Sequence, residues 1–129
     1  MFYYYDLEEI KAMVVSGGVG YSSEVISPVG EASCTLPDLP EIRLYHTHDK
    51  SLICGGNGMT STVMLTCLNL TSSGWIYSHN LTHMRAAHSS WAVDDGVILM
   101  GGIFSPTNSE IAKWDGTSEQ LFDMKYFTG

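Results

Sequence analysis

The sequence predicts an all-β fold, and two observations carry that prediction. Short runs rich in β-branched and aromatic residues alternate with clusters of Gly, Asn, Asp, Ser and Pro, a pattern typical of closely spaced strands and turns. A motif also occurs twice, as "EIRLYHTHDKSLICGG" over residues 41–56 and as "MRAAHSSWAVDDGVILMGG" over residues 84–102. In both copies Arg-x-x-His precedes an apolar run that ends in two adjacent glycines. A sandwich, a barrel or a propeller is consistent with these observations.

Ten runs have the composition of strands. In chain order they are "FYYY", "AMVVS", "SEVIS", "RLYHTH", "SLICGG", "TVMLTCLNL", "WIYS", "SSWAV", "VILMGG" and "EIAKW". Turn signals such as "GGNGMTS", "TSSG" and "DDG" separate them. The one helix candidate, "DLEEIKAM", is short and has no capping residue at its far end, so we expect it not to form a stable helix.

Composition excludes several functional classes. The 129 residues suit one ordinary globular domain, with 44% hydrophobic and 16% charged residues. The formal charge of −8, from 14 acidic against 6 basic residues, predicts no nucleic-acid partner. No apolar run approaches the ~20 residues of a membrane span, so we expect no membrane insertion. The first residues lack the basic and apolar regions of a signal peptide.

Glycine pairs indicate an internal repeat. They lie at Gly17-Gly18, Gly55-Gly56 and Gly101-Gly102, which are 38 and 46 residues apart. A propeller blade of four short strands takes ~40–50 residues, a range that includes the interval of 46 and begins just above the interval of 38. The intervals therefore favour about three propeller-type units, and another antiparallel β-domain with glycine turns is the alternative.

The repeated residues resemble the kelch repeat. A kelch unit has a basic residue before its first strand and a second strand that ends in Gly-Gly. Its third strand ends in Tyr-Asp or a similar pair, and a Trp begins the fourth. The second unit of this chain offers Arg43, "SLICGG", Leu68-Asn69 and Trp75, and the third offers Arg85, "VILMGG", Trp114-Asp115 and Leu121. The usual Tyr is replaced by Leu68 and Trp114, and the first unit keeps little beyond its glycine pair.

The resemblance covers roughly residues 10–125 and implies a partial β-propeller of about three four-stranded antiparallel kelch-type blades. The predicted blades are residues 1–40, a divergent first blade, then 41–82 and 83–129. Propellers close a ring with ~4–8 blades. We therefore expect the chain to be a fragment of a larger propeller, completed by the remaining blades or by self-association.

Two features bear on the compartment. Cys54 ends one predicted strand and Cys67 lies on the next, so the two are candidates for a cross-strand disulfide, with Cys34 left over. Three free buried thiols are the alternative. Asn69 and Asn80 begin Asn-x-Thr sequons and are candidate glycosylation sites, although Asn69 also suits a turn. These features favour an extracellular over a cytoplasmic location.

In kelch propellers, the loops that follow the glycine pairs and the segments that join blades form one face that binds protein or peptide partners. The resemblance therefore implies a non-enzymatic protein-binding module, with no cofactor. The candidate binding residues are Arg43, Asn57, Met59, Thr60, Arg85, Phe104, Thr107 and Asn108. For the two arginines, a hydrogen-bonded packing role is the alternative.

Two other functional classes stay open. Galactose oxidase is a copper enzyme on a kelch-type propeller, so a galactose-oxidase-like or carbohydrate-active enzyme fragment is the first. A purely structural repeat is the second. His46-x-His48 supplies two imidazoles, whereas a metal site needs three or four converging ligands, and we predict no metal. No nucleophile motif stands out, and no catalytic residue is predicted.

Overall fold

The computed structural model describes residues 2–7, 10–17, 20–26, 34–49, 51–60, 62–103 and 110–123. These residues form three four-stranded antiparallel sheets. The first contains β1 (Phe2–Leu7), β2 (Ile10–Ser16), β3 (Ser23–Ile26) and β4 (Cys34–Leu36). The second contains β5 (Thr47–Asp49), β6 (Leu52–Cys54), β7 (Thr66–Thr71) and β8 (Gly74–Asn80). The third contains β9 (Ser89–Val93), β10 (Gly96–Met100), β11 (Glu110–Trp114) and β12 (Glu119–Asp123).

The all-β prediction is confirmed. Every sheet is a meander whose strands pair in chain order, and no helix occurs in the ranges given above. The described residues of the helix candidate "DLEEIKAM" lie in β1 and β2, which pair with each other. Across all the residues that the structure describes, no helix is long and apolar enough to cross a bilayer. The strands of each sheet fall within one predicted unit, while the unit boundaries themselves stay a prediction.

The three sheets meet through their first strands. β1 lies next to β5, and β5 lies next to β9. The main apolar core fills the space between the second and third sheets, where Leu52 of β6 packs with Val97 and Leu99 of β10. A smaller core joins Ile53 and Leu68 of the second sheet to Leu39, which precedes that sheet. Burial between sheets therefore supplies the cohesion that a single four-stranded sheet lacks.

The strand β5 is shorter than the predicted run "RLYHTH". It begins at Thr47 because Tyr45 has a φ of 55°, in the left-handed region that an extended strand cannot pass through. Ala87 has a φ of 51° at the corresponding place before β9. These two are the only non-glycine residues with positive φ in the described part of the chain. The same strained turn is thus part of both Arg-x-x-His segments.

The third strands of the second and third sheets, β7 and β11, correspond at a spacing of 44 residues. The glycine pairs are 46 residues apart, and that spacing superposes Leu68-Asn69 on Trp114-Asp115. Gly55 N–H donates to the Thr66 carbonyl, and Gly101 N–H donates to that of Glu110. The same spacing of 44 residues relates Thr71 to Asp115 in the turns that follow these strands. The side-chain oxygen of each accepts a hydrogen bond from the backbone N–H of the residue two positions later. The loop that follows Gly101-Gly102 is therefore two residues shorter than the loop that follows Gly55-Gly56.

Replacing Ala87 with glycine is expected to stabilise the protein. A left-handed residue with a Cβ costs ~1–2 kcal/mol, and glycine removes that strain while losing more chain entropy on folding. The side chain of Ala87 is exposed, so its methyl group contributes little packing. We predict that Ala87→Gly raises the free energy of unfolding by about 0.5–1 kcal/mol in urea denaturation. Ala92→Gly, within β9, is the control and lowers it by a similar amount. Loss of stability in both variants would contradict the assignment of φ.

Candidate functional site

The sheets have two ends that differ in character. The tight turns within sheets, residues 71–74, 93–96 and 114–119, lie at what we call the hairpin end. The loops after the glycine pairs and the connections between sheets, residues 37–46 and 81–88, lie at the opposite end, which we call the glycine end. Backbone hydrogen bonds join these segments, for example Gly56 N–H to Arg85 O at 2.8 Å. The glycine end is thus a continuous surface built from several loops.

Arg43 and Arg85 lie inside the protein, with no exposed surface. Arg43 Nη1 donates to the carbonyls of Gly55 (2.9 Å) and Thr66 (2.6 Å). Arg85 Nη1 donates in the same way to Gly101 (3.0 Å) and Glu110 (3.2 Å). Each guanidinium therefore ties the connection before a sheet to the ends of that sheet's second and third strands.

A carboxylate accompanies each buried guanidinium. Nη2 of Arg43 pairs with Glu41, and Nη2 of Arg85 pairs with Glu110. Burial lowers the pKa of both arginines, and the neighbouring carboxylates act in the opposite direction. A guanidinium stays protonated across the physiological range, so both contacts are ion pairs. The pair of Arg85 with Glu110 is almost entirely buried, whereas the Glu41 side chain is 44% exposed. Both arginine side chains are thus buried and hydrogen-bonded within the chain, an arrangement consistent with the packing alternative.

In the first two pairs, the first glycine contacts the Arg-x-x-His segment that follows it. Gly55 has a φ of 62°, and a Cβ there would overlap the Arg85 carbonyl and lie 3.0 Å from the His88 ring. Gly17 has a φ of 72°, and a Cβ there would overlap the ring of His46. A side chain at either glycine would push adjacent sheets apart. The repeated motif is therefore the joint between sheets: its arginine side chain holds its own sheet, while its backbone and histidine contact the preceding one.

His88 links the second and third sheets. Its Nε2 lies 2.7 Å from Thr47 Oγ1 of β5, while its Nδ1 has no hydrogen-bond partner among the described residues. Burial, followed by the charges of the nearby Arg85 and His46, lowers the pKa of His88 to about 4. The imidazole is therefore neutral at pH 7.

Large apolar side chains are exposed across the glycine end. They are Tyr21, Tyr45, Met59, Met84 and Ile103, each 46–67% exposed. All five lie on loops or connections rather than strands. Backbone hydrogen bonds hold these segments together, such as Ala87 N–H to Tyr45 O at 2.8 Å and Leu39 N–H to Tyr21 O at 2.7 Å. We call these five residues the apolar loop set.

The remaining predicted binding residues divide into two groups. Met59 and Thr60 are exposed on the loop after Gly55-Gly56, as a binding role requires. Asn57 is half-buried in the same loop and bridges Leu44 and Val63 through its backbone. Phe104, Thr107 and Asn108 lie outside the described residues. Tyr45, Met84 and Ile103 are exposed but are not among the individually predicted residues, because nothing in their sequence context distinguishes an exposed apolar residue from a core one. Met84 and Ile103 nevertheless lie in a connection and a loop of the predicted face.

Cys54 and Cys67 lie at disulfide distance, as the hairpin argument predicts. They face each other on β6 and β7 with Cα atoms 4.2 Å apart. The adjacent pair Gly55 and Thr66 is hydrogen-bonded, so the cysteines occupy a non-hydrogen-bonded position, where Cα atoms approach most closely. Cys34 lies in a different sheet, at the start of β4.

The two sequon asparagines differ in exposure. Asn80 is exposed at the end of β8, and its sequon partner Thr82 donates its hydroxyl to Glu119 Oε2 at 2.6 Å. Asn69 is half-buried, and its Oδ1 accepts from the Ser51 hydroxyl at 2.6 Å. Of the two, Asn80 offers the more accessible amide. Glycosylation at both stays a prediction.

A cleft of about 490 Å³ opens between the second and third sheets at the hairpin end. Its lining includes Asn69, Trp114 and the carboxylates of Asp95 and Asp115. Backbone N–H groups of Ser118 and Thr117 hold the pKa of Asp115 well below its usual range, and a hydrogen bond from Lys113 lowers that of Asp95. Both carboxylates are thus already engaged by the protein. The turn signal "DDG" was visible in the sequence, but the cleft depends on how two sheets pack.

Comparison with known proteins adds no assignment: no protein-family model matches the chain, and a search of curated proteins finds no match.

Acid is expected to destabilise the protein through His88. The folded pKa of about 4 lies below the ~6.5 of an unfolded histidine, so the unfolded chain binds more protons between these values. The stability that this group contributes is complete above pH ~6.5 and is lost as the pH falls towards 4, by up to about 3 kcal/mol. We predict that His88→Gln flattens this slope in urea denaturations at pH 7, 5.5 and 4.5. Burial also lowers the pKa of His79, so a smaller slope is expected to persist. A variant whose slope equals that of the wild type would contradict the role of His88.

Proposed function

We propose that the chain is a protein-binding module whose glycine end holds an apolar peptide segment of a partner protein. The observation that carries this proposal is the apolar loop set, five large side chains exposed on connected loops at one end of the sheets. Isolated exposed apolar residues are ordinary, whereas a cluster on one surface is typical of an interaction site.

The support beneath these loops favours binding with a small loss of entropy. Loops on a rigid scaffold concentrate binding residues, and a surface that is already ordered avoids the cost of ordering on association. Here the buried Arg43 and Arg85 fix the segments that carry Tyr45 and Met84. Tyrosine and methionine also suit this role, because tyrosine combines an apolar ring with a polar tip and methionine adapts its shape.

Charge narrows the class of partner. The formal charge is −8, and two of the six basic side chains, Arg43 and Arg85, are buried. A third, Lys113, pairs with Asp95 at the hairpin end at 2.7 Å. The excess of negative charge favours association with a positively charged partner. We therefore propose a partner segment in which apolar residues are flanked by lysine or arginine.

We further propose that the three sheets are blades of a kelch-type propeller. Support comes from the adjacent first strands β1, β5 and β9, and from the joint that repeats between sheets. A further sheet is expected beside the third one. Ile98 and Met100 precede their glycine pair by three residues and one, as Leu52 and Cys54 do in the second sheet. In the second sheet, the face that carries Leu52 and Cys54 is covered by the third sheet. The corresponding face of the third sheet, which carries Ile98, has Trp91 and Phe122 exposed and would be covered by a further sheet.

The binding proposal is tested with peptides selected from a random library on the immobilised wild-type protein. We predict that Met59→Ser and Tyr45→Asn each weaken the selected peptides by tenfold or more in a fluorescence-anisotropy titration. Asparagine tolerates the left-handed backbone of Tyr45, so this variant removes the ring without adding strain. Raising the salt concentration is expected to weaken binding of peptides with flanking basic residues to the wild-type protein, because salt screens their attraction to its negative charge.

Two control variants define the contrary results. Tyr77→Ser removes a ring that is 59% exposed on β8, comparable with the 67% of Tyr45, and is expected to leave affinity unchanged. Trp91→Ser probes the outer face of the third sheet. Loss of binding in Trp91→Ser with unchanged affinity in Met59→Ser and Tyr45→Asn would place the binding surface on that face and overturn the proposal.

A further inference from the structure

Three metal-ligating side chains lie in a row across the second sheet. Cys54 on β6 is opposite Cys67 on β7, and Cys67 is opposite His79 on β8. A register irregularity between Cys67 and Leu68 accompanies this arrangement. The two sulfur atoms and a ring nitrogen of His79 all lie within 4.8 Å of one another. Among the residues described, this is the group of three that has the proximity a single cation needs.

The imidazole of His79 is held in a fixed orientation. Its ring stacks on Trp114 of the third sheet, with centroids 3.5 Å apart and planes inclined by 10°. Nδ1 lies 2.9 Å from the Ser78 hydroxyl. Nε2 is buried and has no hydrogen-bond partner among the described residues. A ring nitrogen oriented through its neighbour, with the other nitrogen left available, is the arrangement found in metal-ligating histidines.

The surroundings of the sulfur atoms are dry. Cys54 and Cys67 are 1% and 0% exposed, and they pack with Val97, Leu99 and Ala112 of the third sheet. Two thiolates and an imidazole form a soft donor set, which selects Cu⁺ or Zn²⁺ over hard cations such as Mg²⁺. The low dielectric of the site strengthens the attraction between the thiolates and a cation.

We propose that Cys54, Cys67 and His79 form a redox-gated site for one thiophilic d¹⁰ cation, Cu⁺ or Zn²⁺. The disulfide and the occupied site are mutually exclusive states of the same two cysteines. A dithiol reductant supplies two electrons and two protons, the S–S bond breaks, and the reductant closes into its own disulfide. The cation then binds both sulfur atoms and His79 Nε2, and the two thiol protons go to solvent.

Only a small movement separates the two states. Two thiolates that share one cation at ~2.3 Å each lie about 3.8 Å apart, so the sulfur atoms must separate while the strands stay paired. The disulfide connects β6 with β7, whereas the cation also connects β8. Because Trp114 stacks on His79, occupancy is coupled to the interface between the second and third sheets. This inference does not depend on the proposed peptide binding at the glycine end.

The test uses the full chain, reduced under nitrogen with dithiothreitol and desalted before addition of Zn²⁺ or Cu⁺. We predict that the reduced wild type retains about one ion per chain of at least one of these metals after a second desalting. The oxidised wild type is expected to retain none. His79→Gln is expected to lower the affinity tenfold or more in competition with a chromophoric chelator. Co²⁺ in place of Zn²⁺ should give a sulfur-to-metal charge-transfer band that His79→Gln alters.

Controls separate a specific site from general thiol binding. Cys34→Ser and His83→Gln remove one thiol and one imidazole that are not among the three proposed ligands, and both variants are expected to retain the ion. Circular dichroism of reduced His79→Gln checks that the strands persist, so that loss of the ion is not loss of the fold. Retention of the ion by His79→Gln with unchanged affinity would overturn the proposal. Failure of the folded, reduced wild type to retain either metal would also overturn it.

Discussion

A guanidinium group that leaves water needs acceptors for its N–H groups, and Arg43 and Arg85 find them for Nη1 in the backbone of their own sheets and for Nη2 in a neighbouring carboxylate. Each donates to the carbonyl of the first glycine in a pair and to the carbonyl that begins the next strand. The backbone depends on these arginines in turn, because the guanidinium is the donor to the Gly55 and Gly101 carbonyls. It is a second donor to the Thr66 and Glu110 carbonyls, which also accept from a glycine N–H. One side chain therefore fixes the positions of a connection, a second strand and a third strand.

The contacts between sheets follow from this constraint. Once Arg85 is fixed, its carbonyl accepts from Gly56 N–H and leaves no room for a Cβ at Gly55. His88 then reaches Thr47 of the preceding sheet, and the apolar faces of β6 and β10 close over Cys54 and Cys67. The loops at the glycine end rest on this frame, and so do the exposed side chains proposed to bind a partner.

The repeated motif could be predicted from sequence because it depends on residue types with few substitutes. Only glycine accepts both a positive φ and the close approach of another backbone, so the pair at Gly55 could be placed at the end of a repeated strand without a structure. The opposition of Cys54 and Cys67 could be predicted for a similar reason, since a hairpin register determines it.

Other features depend on contacts distant in sequence. The predicted strand at Arg43–His48 was too long, because the left-handed turn at Tyr45 carries no sequence signal. Alignment of the glycine pairs, which are 46 residues apart, did not reveal that the third strands correspond at 44 residues. From sequence alone, a shorter loop could not be distinguished from a shifted strand register. The approach of His79 to the cysteines depends on a register irregularity and on Trp114 of another sheet.

The most direct test of the central claim is the free energy of unfolding of Arg85→Met, measured by urea denaturation at pH 7. Methionine keeps much of the apolar bulk but removes the donor to the Gly101 carbonyl, one of the two donors to the Glu110 carbonyl, and the guanidinium that pairs with the Glu110 carboxylate. We predict that the substitution lowers the free energy of unfolding by about 3–5 kcal/mol. Lys113→Met, which removes a surface ion pair with Asp95, is expected to change stability by less than ~1 kcal/mol. An Arg85→Met variant as stable as Lys113→Met would contradict the claim that the buried arginine holds the repeated joint together.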